Sequence, residues 1–320
     1  MSENILTVKN LKVLYATRAG LVKAVDNVSL EVRRGEVLGL VGESGCGKST
    51  LGLSILRLIP PPGKITDGQI FFNGEDLLAK TEEEMRSIRG KHIAMVFQDP
   101  MTSLDPLFRI GDQMVETILT HEKGTSKKEA RERAMEILMK LGIGSERFDD
   151  YPHQLSGGMR RRVMIGLALL LNPDLLIADE PTTALDVIVE AQILDLLKDL
   201  RKTYNITLIL ITHNMGVVAQ LADRVAVMYA GKLVEVGEAM DVFYTPLHPY
   251  TEGLLRSIPN ISLEHHKLET MPGSPPDLIT PPPGCRFHPR CPYVMEICSR
   301  EEPPLKSLEE GHLVACWKYA

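Results

Sequence analysis

Eight consecutive residues, Gly42-Glu43-Ser44-Gly45-Cys46-Gly47-Lys48-Ser49, fit the pattern G-x-x-x-x-G-K-[ST]. Glycines let a backbone curl until several N–H groups point inward, and a helix that starts at the end of such a loop adds partial positive charge. That chemistry grips phosphate oxygens, with Lys48 reaching the β- and γ-phosphates and the Ser49 hydroxyl suited to Mg²⁺. A second group is acidic: Leu175-Leu176-Ile177-Ala178 runs straight into Asp179-Glu180. Paired carboxylates at the carboxyl end of a buried strand stand where α/β sheets open their ligand crevice. One can hold a magnesium shell, here Asp179, and the next, Glu180, can polarise an attacking water. A third group is thiol-rich. Cys46 stands alone, whereas Cys285, Cys291, Cys298 and Cys316 crowd the last 36 residues, with five, six and seventeen residues between successive members.

The elements around these groups read as an α/β core. Ile5 to Val8 and Val28 to Val32 alternate like half-buried strands, and Val37 to Val41 is a short unbroken apolar run, as for a strand covered on both faces. Thr50 to Leu58 then carries helical spacing up to Pro60-Pro61-Pro62, which gives strand, glycine-rich loop, helix. From Thr81 to about Lys140 the pattern is charged, with apolar residues three and four apart (Ala130, Ala134, Ile137, Leu138, Leu141), which predicts helices. A helix follows Gly158, and Asn172-Pro173 separates it from the strand at Leu175. Further on come a helix from about Val187 to Lys202 and strands at Ile206 to Ile211, Arg224 to Tyr229 and Lys232 to Val236. The prolines that crowd residues 272–304 predict irregular backbone there.

Composition narrows the function. Hydrophobic residues make up 44% and charged residues 24%, the balance of a folded globular chain. A net charge of −6 argues against nucleic acid as the main partner. The start of the chain lacks the basic stretch and apolar run of a signal peptide, and no window approaches 18 apolar residues, so membrane association is expected to go through partners. In a reducing cytoplasm the four clustered cysteines are not expected to form disulfides. Structural zinc usually shows a closely spaced C-x₂₋₄-C pair, and loosely spaced thiolates in proline-stiffened loops suit a [4Fe–4S] cluster better. Cluster, zinc and unligated thiols all remain open at this point.

Tyr151-Pro152-His153-Gln154-Leu155-Ser156-Gly157-Gly158-Met159, just upstream of the acidic strand, resembles the signature sequence of ABC ATPases. Gln98, after the apolar run Ala94 to Phe97, resembles the Q-loop glutamine; Ala184-Leu185-Asp186 resembles the D-loop; His213 resembles the switch histidine; and Tyr15 fits the aromatic that stacks on adenine. The resemblance implies a P-loop NTPase core, a RecA-like sheet with an antiparallel β subdomain, and an inserted helical subdomain at about 99–165. It implies a nucleotide site drawn from Tyr15, Gly42, Ser44, Gly45, Cys46, Gly47, Lys48, Ser49, Thr50, Gln98, Asp179 and Asp186. Glu180, Gln98 and His213 are the implied catalytic groups, and Ser49, Gln98 and Asp179 the Mg²⁺ groups. Ser156, Gly157 and Gly158 would grip the γ-phosphate of ATP held by an opposite subunit. Met159 and Arg160-Arg161-Arg162 depart from the usual glutamine-containing pattern, which touches the strength of that grip.

His248-Pro249-Tyr250-Thr251, Pro272-Gly273 and Gly284-Cys285-Arg286-Phe287-His288-Pro289-Arg290-Cys291-Pro292 resemble the C-terminal extension of ATPases that serve dipeptide and oligopeptide importers. On this reading residues 1–258 form the nucleotide-binding domain and 259–320 a small irregular Pro-rich, four-cysteine domain. The implied partners are two transmembrane permease subunits and a second ATPase subunit, non-identical or a second copy. An extracytoplasmic peptide-binding protein acts indirectly. The implied location is the cytoplasmic face of the membrane, with nickel or oligosaccharide as alternative cargo. A soluble ABC ATPase acting on nucleic acid would need a second cassette or a long coiled coil, and neither is present in the sequence.

Overall fold

The computed structural model describes residues 3–99, 103–183, 185–257, 271–309 and 311–319. Ala184 of the D-loop and the expected domain boundary at 258/259 lie outside the described residues. The chain divides into two compact units, one made of residues 1–79 and 210–320 and the other of residues 80–209.

In the first unit β1 (Asn4–Thr17) and β2 (Gly20–Arg33) form a long antiparallel hairpin, and β4 (Gly63–Phe72) pairs with the other edge of β1. A short β5 (Glu75–Asp76) completes the antiparallel sheet. The alternation in Ile5 to Val8 thus belongs to a strand of 14 residues, which bulges near Asn10 and continues to Thr17. A second layer is built on β3 (Val37–Val41), every residue of which is buried. β3 runs parallel to β9 (Arg224–Tyr229), and β10 (Lys232–Glu238) returns antiparallel beside it. α1 (Lys48–Ile55), α7 (Met215–Leu221), α8 (Ala239–Tyr244) and α9 (Pro249–Arg256) belong to this unit.

The cysteine-rich tail shares the core of the first unit. Phe287 is 2% exposed and packs with Val41, Val227, Tyr229 and Tyr250. The rings of Tyr229, Tyr250 and Phe287 stand 4.5 to 5.4 Å apart centre to centre, in tilted and edge-on arrangements. Burial of one such ring contributes roughly 1.5–3 kcal/mol. After the last proline the tail adds two strands, β11 (Lys306–Glu309) and β12 (His312–Val314), and β12 pairs antiparallel with β10. Between residues 272 and 304 only short 3₁₀ turns interrupt irregular backbone, as the proline content predicts.

The second unit holds α2 (Glu82–Ile88), β6 (Ile93–Val96), α3 (Ile110–His121), α4 (Lys127–Lys140), α5 (Gly157–Leu169), β7 (Leu175–Asp179) and α6 (Val187–Tyr204). β8 (Thr207–Thr212) carries the chain across the division. Thr81 and Glu84 close a reciprocal capping box at the start of α2, and Ser126 caps α4 through the Glu129 N–H. α3 buries Ile110, Met114, Val115 and Ile118, and α4 buries Ala130, Ala134 and Leu138, the apolar stripes expected of helices packed on one side.

Candidate functional site

The phosphate loop leaves the buried end of β3 and enters α1 at Lys48. Two of its glycines are sterically required. Gly42 (φ +154°) and Gly47 (φ +107°) adopt backbone that side chains rarely reach. A Cβ on Gly42 would stand 2.1 Å from the Met228 carbonyl oxygen, and one on Gly47 2.1 Å from that of Ala24. Lys48 is 5% exposed and folds back over the loop, where its Nζ donates to the Gly42 oxygen at 2.8 Å and to the Glu43 oxygen at 3.0 Å. A buried ammonium that caps its own loop carbonyls is placed to exchange them for phosphate oxygens. Ser44 and Gly45 form the exposed tip, with Ser49 and Thr50 partly covered on the first turn of α1. Cys46 is buried, 3.8 Å from Lys48 Nζ, and burial pushes its thiol up despite the lysine, so it is held as a neutral packing group.

In the same unit His213 follows β8, exposed, and precedes the Asn214 cap of α7. Tyr15 lies on β1 opposite Gly63, with its ring close above that glycine, on the antiparallel sheet.

The second unit carries the acidic pair and the signature segment. β6 and β7 are parallel, with Val96 opposite Ala178, so Gln98 and Glu180 both emerge two residues beyond that pair at the carboxyl edge. Asp179 and Glu180 are 5% and 8% exposed. Glu180 adopts φ +49°, a left-handed conformation that costs a side-chain-bearing residue about 1–3 kcal/mol. Its carboxylate accepts a hydrogen bond from the Thr183 hydroxyl at 2.8 Å. Ser156 caps α5 and accepts the Met159 N–H at 3.3 Å. Ser156 and Gly157 are exposed at this helix start, which presents N–H groups and a hydroxyl outward. Met159 contributes its backbone N–H to the cap. Asp186 caps α6 by accepting the Val189 N–H at 2.9 Å.

Sequence reading missed a connector. Arg161 is 2% exposed and donates to the Phe97 oxygen at 3.0 Å and the Thr183 oxygen at 3.5 Å. It joins the segment before Gln98 to the loop after Glu180. Its signal was available, since it stands four residues before Ile165 and eight before Leu169, on the buried stripe of α5 rather than in a solvated basic run. Also unforeseen is Gln113, whose amide bonds the Asp105 N–H and the Asp105 and Phe108 carbonyls. It fixes a loop that carries Leu107 (80% exposed) and Phe108 (54% exposed) into solvent.

The four tail cysteines are free thiols and line one small cavity of about 20 Å³ together with His248 and His288. His288 turns its Nδ1 to the Cys285 carbonyl at 2.9 Å. Burial first, and the neighbouring thiols second, push Cys285 up to about 11; burial also raises Cys291 and Cys316. Among the described residues no three His, Cys, Asp or Glu side chains converge closely enough to hold a single metal ion. The four sulfurs thus line one enclosure, and sulfur donors are the class that soft metal centres use.

Comparison with known proteins bears on both halves. The family model described as ABC transporter matches residues 25–183, and that described as the C-terminal region of oligopeptide/dipeptide transporters matches residues 234–298. The chain is 51% identical over 318 residues to the dipeptide transport ATP-binding protein DppD of Bacillus subtilis, an alignment that spans 98% of this chain and 95% of the relative. It is 49% identical to the oligopeptide transport ATP-binding protein OppD of Salmonella typhimurium, over 98% of this chain and 93% of that one. Among solved structures, the dimeric post-hydrolysis state of the ATP-binding cassette MJ0796 with ADP and Pi superposes with a TM-score of 0.67 and 30% identity, covering 73% of this chain and 98% of that one.

Proposed function

Because the chain belongs to the ABC transporter family of ATP-hydrolysing subunits, we propose that it powers the import of dipeptides or oligopeptides through a membrane transporter. The observation that carries the cargo class is the tail. A cassette needs no such extension to fold, since the solved cassette covers 73% of this chain, whereas residues 234–298 match the peptide-transporter C-terminal region and the peptide-transport relatives align over 98% of the chain.

The residues take the following parts. Lys48 and N–H groups of the 42–49 loop bind the phosphates, and Tyr15 stacks on the base. Ser49, Asp179 and Gln98 would hold Mg²⁺, which would neutralise phosphate charge. Glu180 accepts the proton of the attacking water, with its carboxylate oriented by Thr183. His213 steadies the γ-phosphate. Ser156, Gly157 and Gly158 grip the nucleotide of an opposite ATPase subunit. Asp186 orders the loop beside them through its cap on α6. Leu107 and Phe108, held outward by Gln113, meet a permease subunit. No helix among the described residues is long and apolar enough to cross a membrane, so attachment runs through that contact.

For the tail we propose a [4Fe–4S] cluster on Cys285, Cys291, Cys298 and Cys316. Such a centre would cross-link these irregular segments. Iron and sulfide analysis of anaerobically purified protein should give about four of each per chain; a colourless, zinc-loaded protein would sink this assignment.

The transport reading is tested in cells and on the purified subunit. Glu180→Gln should bind ATP with wild-type affinity, hydrolyse it about 10²–10⁴-fold more slowly, and abolish uptake of short peptides. Peptide uptake that survives both in this strain and in one lacking the partner permease means the cargo is something else.

A further inference from the structure

The phosphate loop is anchored from outside by the tail. Glu43, its second residue, is held at two points. Its N–H donates to the Tyr250 hydroxyl at 2.8 Å. Its carboxylate takes two parallel bonds from Arg290, at 2.8 Å to Oε2 and 3.0 Å to Oε1. The arginine side chain is 5% exposed. It has further fixed contacts: Nε donates to the Pro272 oxygen at 2.9 Å, Nη1 reaches the Tyr229 hydroxyl at 3.3 Å, and the guanidinium lies 5.8 and 5.9 Å from the ring centres of Tyr229 and Phe287. A planar fork gripped on both sides sets the orientation of its carboxylate, which a lysine in its place cannot do.

On its other face Glu43 belongs to the phosphate machinery. Its carbonyl accepts from Lys48 Nζ at 3.0 Å and from the Cys46 N–H at 3.3 Å. The same residue therefore receives the phosphate lysine through its backbone and the tail arginine through its side chain. Arg290 immediately precedes Cys291, which lines the four-thiol cavity with Phe287.

We propose that Arg290 and Tyr250 are positioning residues for ATP: they fix Glu43, and through it the curl of the phosphate loop and the place of Lys48. This rests on the reading that residues 42–49 bind the phosphates of ATP. The effect falls on nucleotide affinity, because a loop that must order itself before gripping phosphate loses binding free energy in ground state and transition state alike. The tail is thereby part of the ATP site through Glu43.

The test compares full-length wild-type protein with Arg290→Lys, Tyr250→Phe, Glu43→Gln, the double variant Glu43→Gln/Arg290→Lys, and Lys48→Ala. Equilibrium binding of a fluorescent ATP analogue and of Mg·ATP is measured beside KM and kcat. Arg290→Lys should raise Kd and KM about tenfold and leave kcat within about twofold, the pattern of lost uniform binding. Tyr250→Phe, which removes one oxygen and keeps the ring, should raise Kd about threefold, as expected for one modest hydrogen bond. The double variant should match Arg290→Lys alone, since the pair acts as a unit. Unchanged Kd in a folded Arg290→Lys protein, or additive effects in the double variant, overturns the proposal. If Arg290→Lys does not fold, unchanged Kd in Tyr250→Phe does the same. Wild-type protein that binds no ATP, or Lys48→Ala that binds as tightly as wild type, would instead indict the phosphate-loop reading itself.

Discussion

Arg161→Met separates the positioning of catalytic groups from the stability of the fold. The substitution keeps most of the side-chain volume and removes both donors. The bond to the Phe97 oxygen at 3.0 Å is charge-assisted, worth roughly 1.5–3 kcal/mol; that to Thr183 at 3.5 Å is at the limit of hydrogen bonding and adds little. Against this stands the cost of the buried cation. Burial holds the Arg161 guanidinium below its ordinary pKa, with Asp99 only partly opposing, and its Nε has no hydrogen-bond partner. An unmatched buried donor costs about 1–3 kcal/mol, so the two sides nearly cancel and stability should move by less than about 1 kcal/mol, a few degrees in Tm. Activity has no such compensation. Phe97 precedes Gln98, and Thr183 holds the Glu180 carboxylate, so releasing both carbonyls loosens the two groups proposed to act on the attacking water. A displacement near 1 Å in such a group costs about 10²-fold, which sets an expected fall in kcat of roughly 10- to 100-fold with Kd for ATP unchanged. Steady-state ATP hydrolysis, nucleotide binding and thermal melting on one preparation decide it. A kcat within about twofold of wild type at unchanged Tm refutes the role of Arg161.

Gly47→Ala should abolish nucleotide binding in calorimetry, because the new Cβ meets the Ala24 carbonyl oxygen at 2.1 Å in backbone of φ +107° that alanine resists. Phe108→Asp should leave the melting temperature within a degree or two, since the ring is exposed, and reduce co-purification with the permease about tenfold if this ring is an interface anchor; undiminished co-purification assigns the contact elsewhere.

The chemistry-bearing segments were legible because their signals are local. The loop at 42–49 needs glycine where the backbone turns left-handed against Met228 and Ala24, and that demand is written in consecutive residues. The buried strands β3 and β7 read as unbroken apolar runs for the same reason, since nothing beyond their own covering decides them. Strand length was less legible: β1 and β2 run 14 residues each, but their bulges break the two-residue period that marks a strand. Arg161 has no assigned place in the sequence reading because it stands inside a run of three arginines, and only its register with Ile165 and Leu169 marks it as buried. The crowding of the four cysteines points to a shared centre, but their placement around one cavity is not written in the spacing. It depends on Cys285 N–H reaching the Cys298 carbonyl and on β12 returning beside β10, contacts set by tertiary packing.

The seating of the tail follows a single rule that spacing could not reveal. Three acids in the body of the first unit each take a base from the tail: Glu43 pairs with Arg290, Asp26 with Arg286, and Glu235 with His312 at 2.8 Å. Glu235 is fully buried and also accepts the Leu247 and His248 N–H groups, which ties the start of α9 to the tail strand β12. Arg286 further donates to the Ala230 carbonyl, the residue after β9. Buried pairs add little net stability over apolar contacts of the same shape, but removing one partner strands the other at about 3–5 kcal/mol. Such pairs therefore act less as glue than as a register. Phe287 and its aromatic neighbours supply the affinity of the tail for the core, and a ring can be accommodated in more than one pose. Three polar groups that must each find a partner leave one. With the tail so indexed, Arg290 meets Glu43 and the four thiols face one cavity in the same arrangement, so the geometry of the thiol site and that of the phosphate loop are set by one set of contacts.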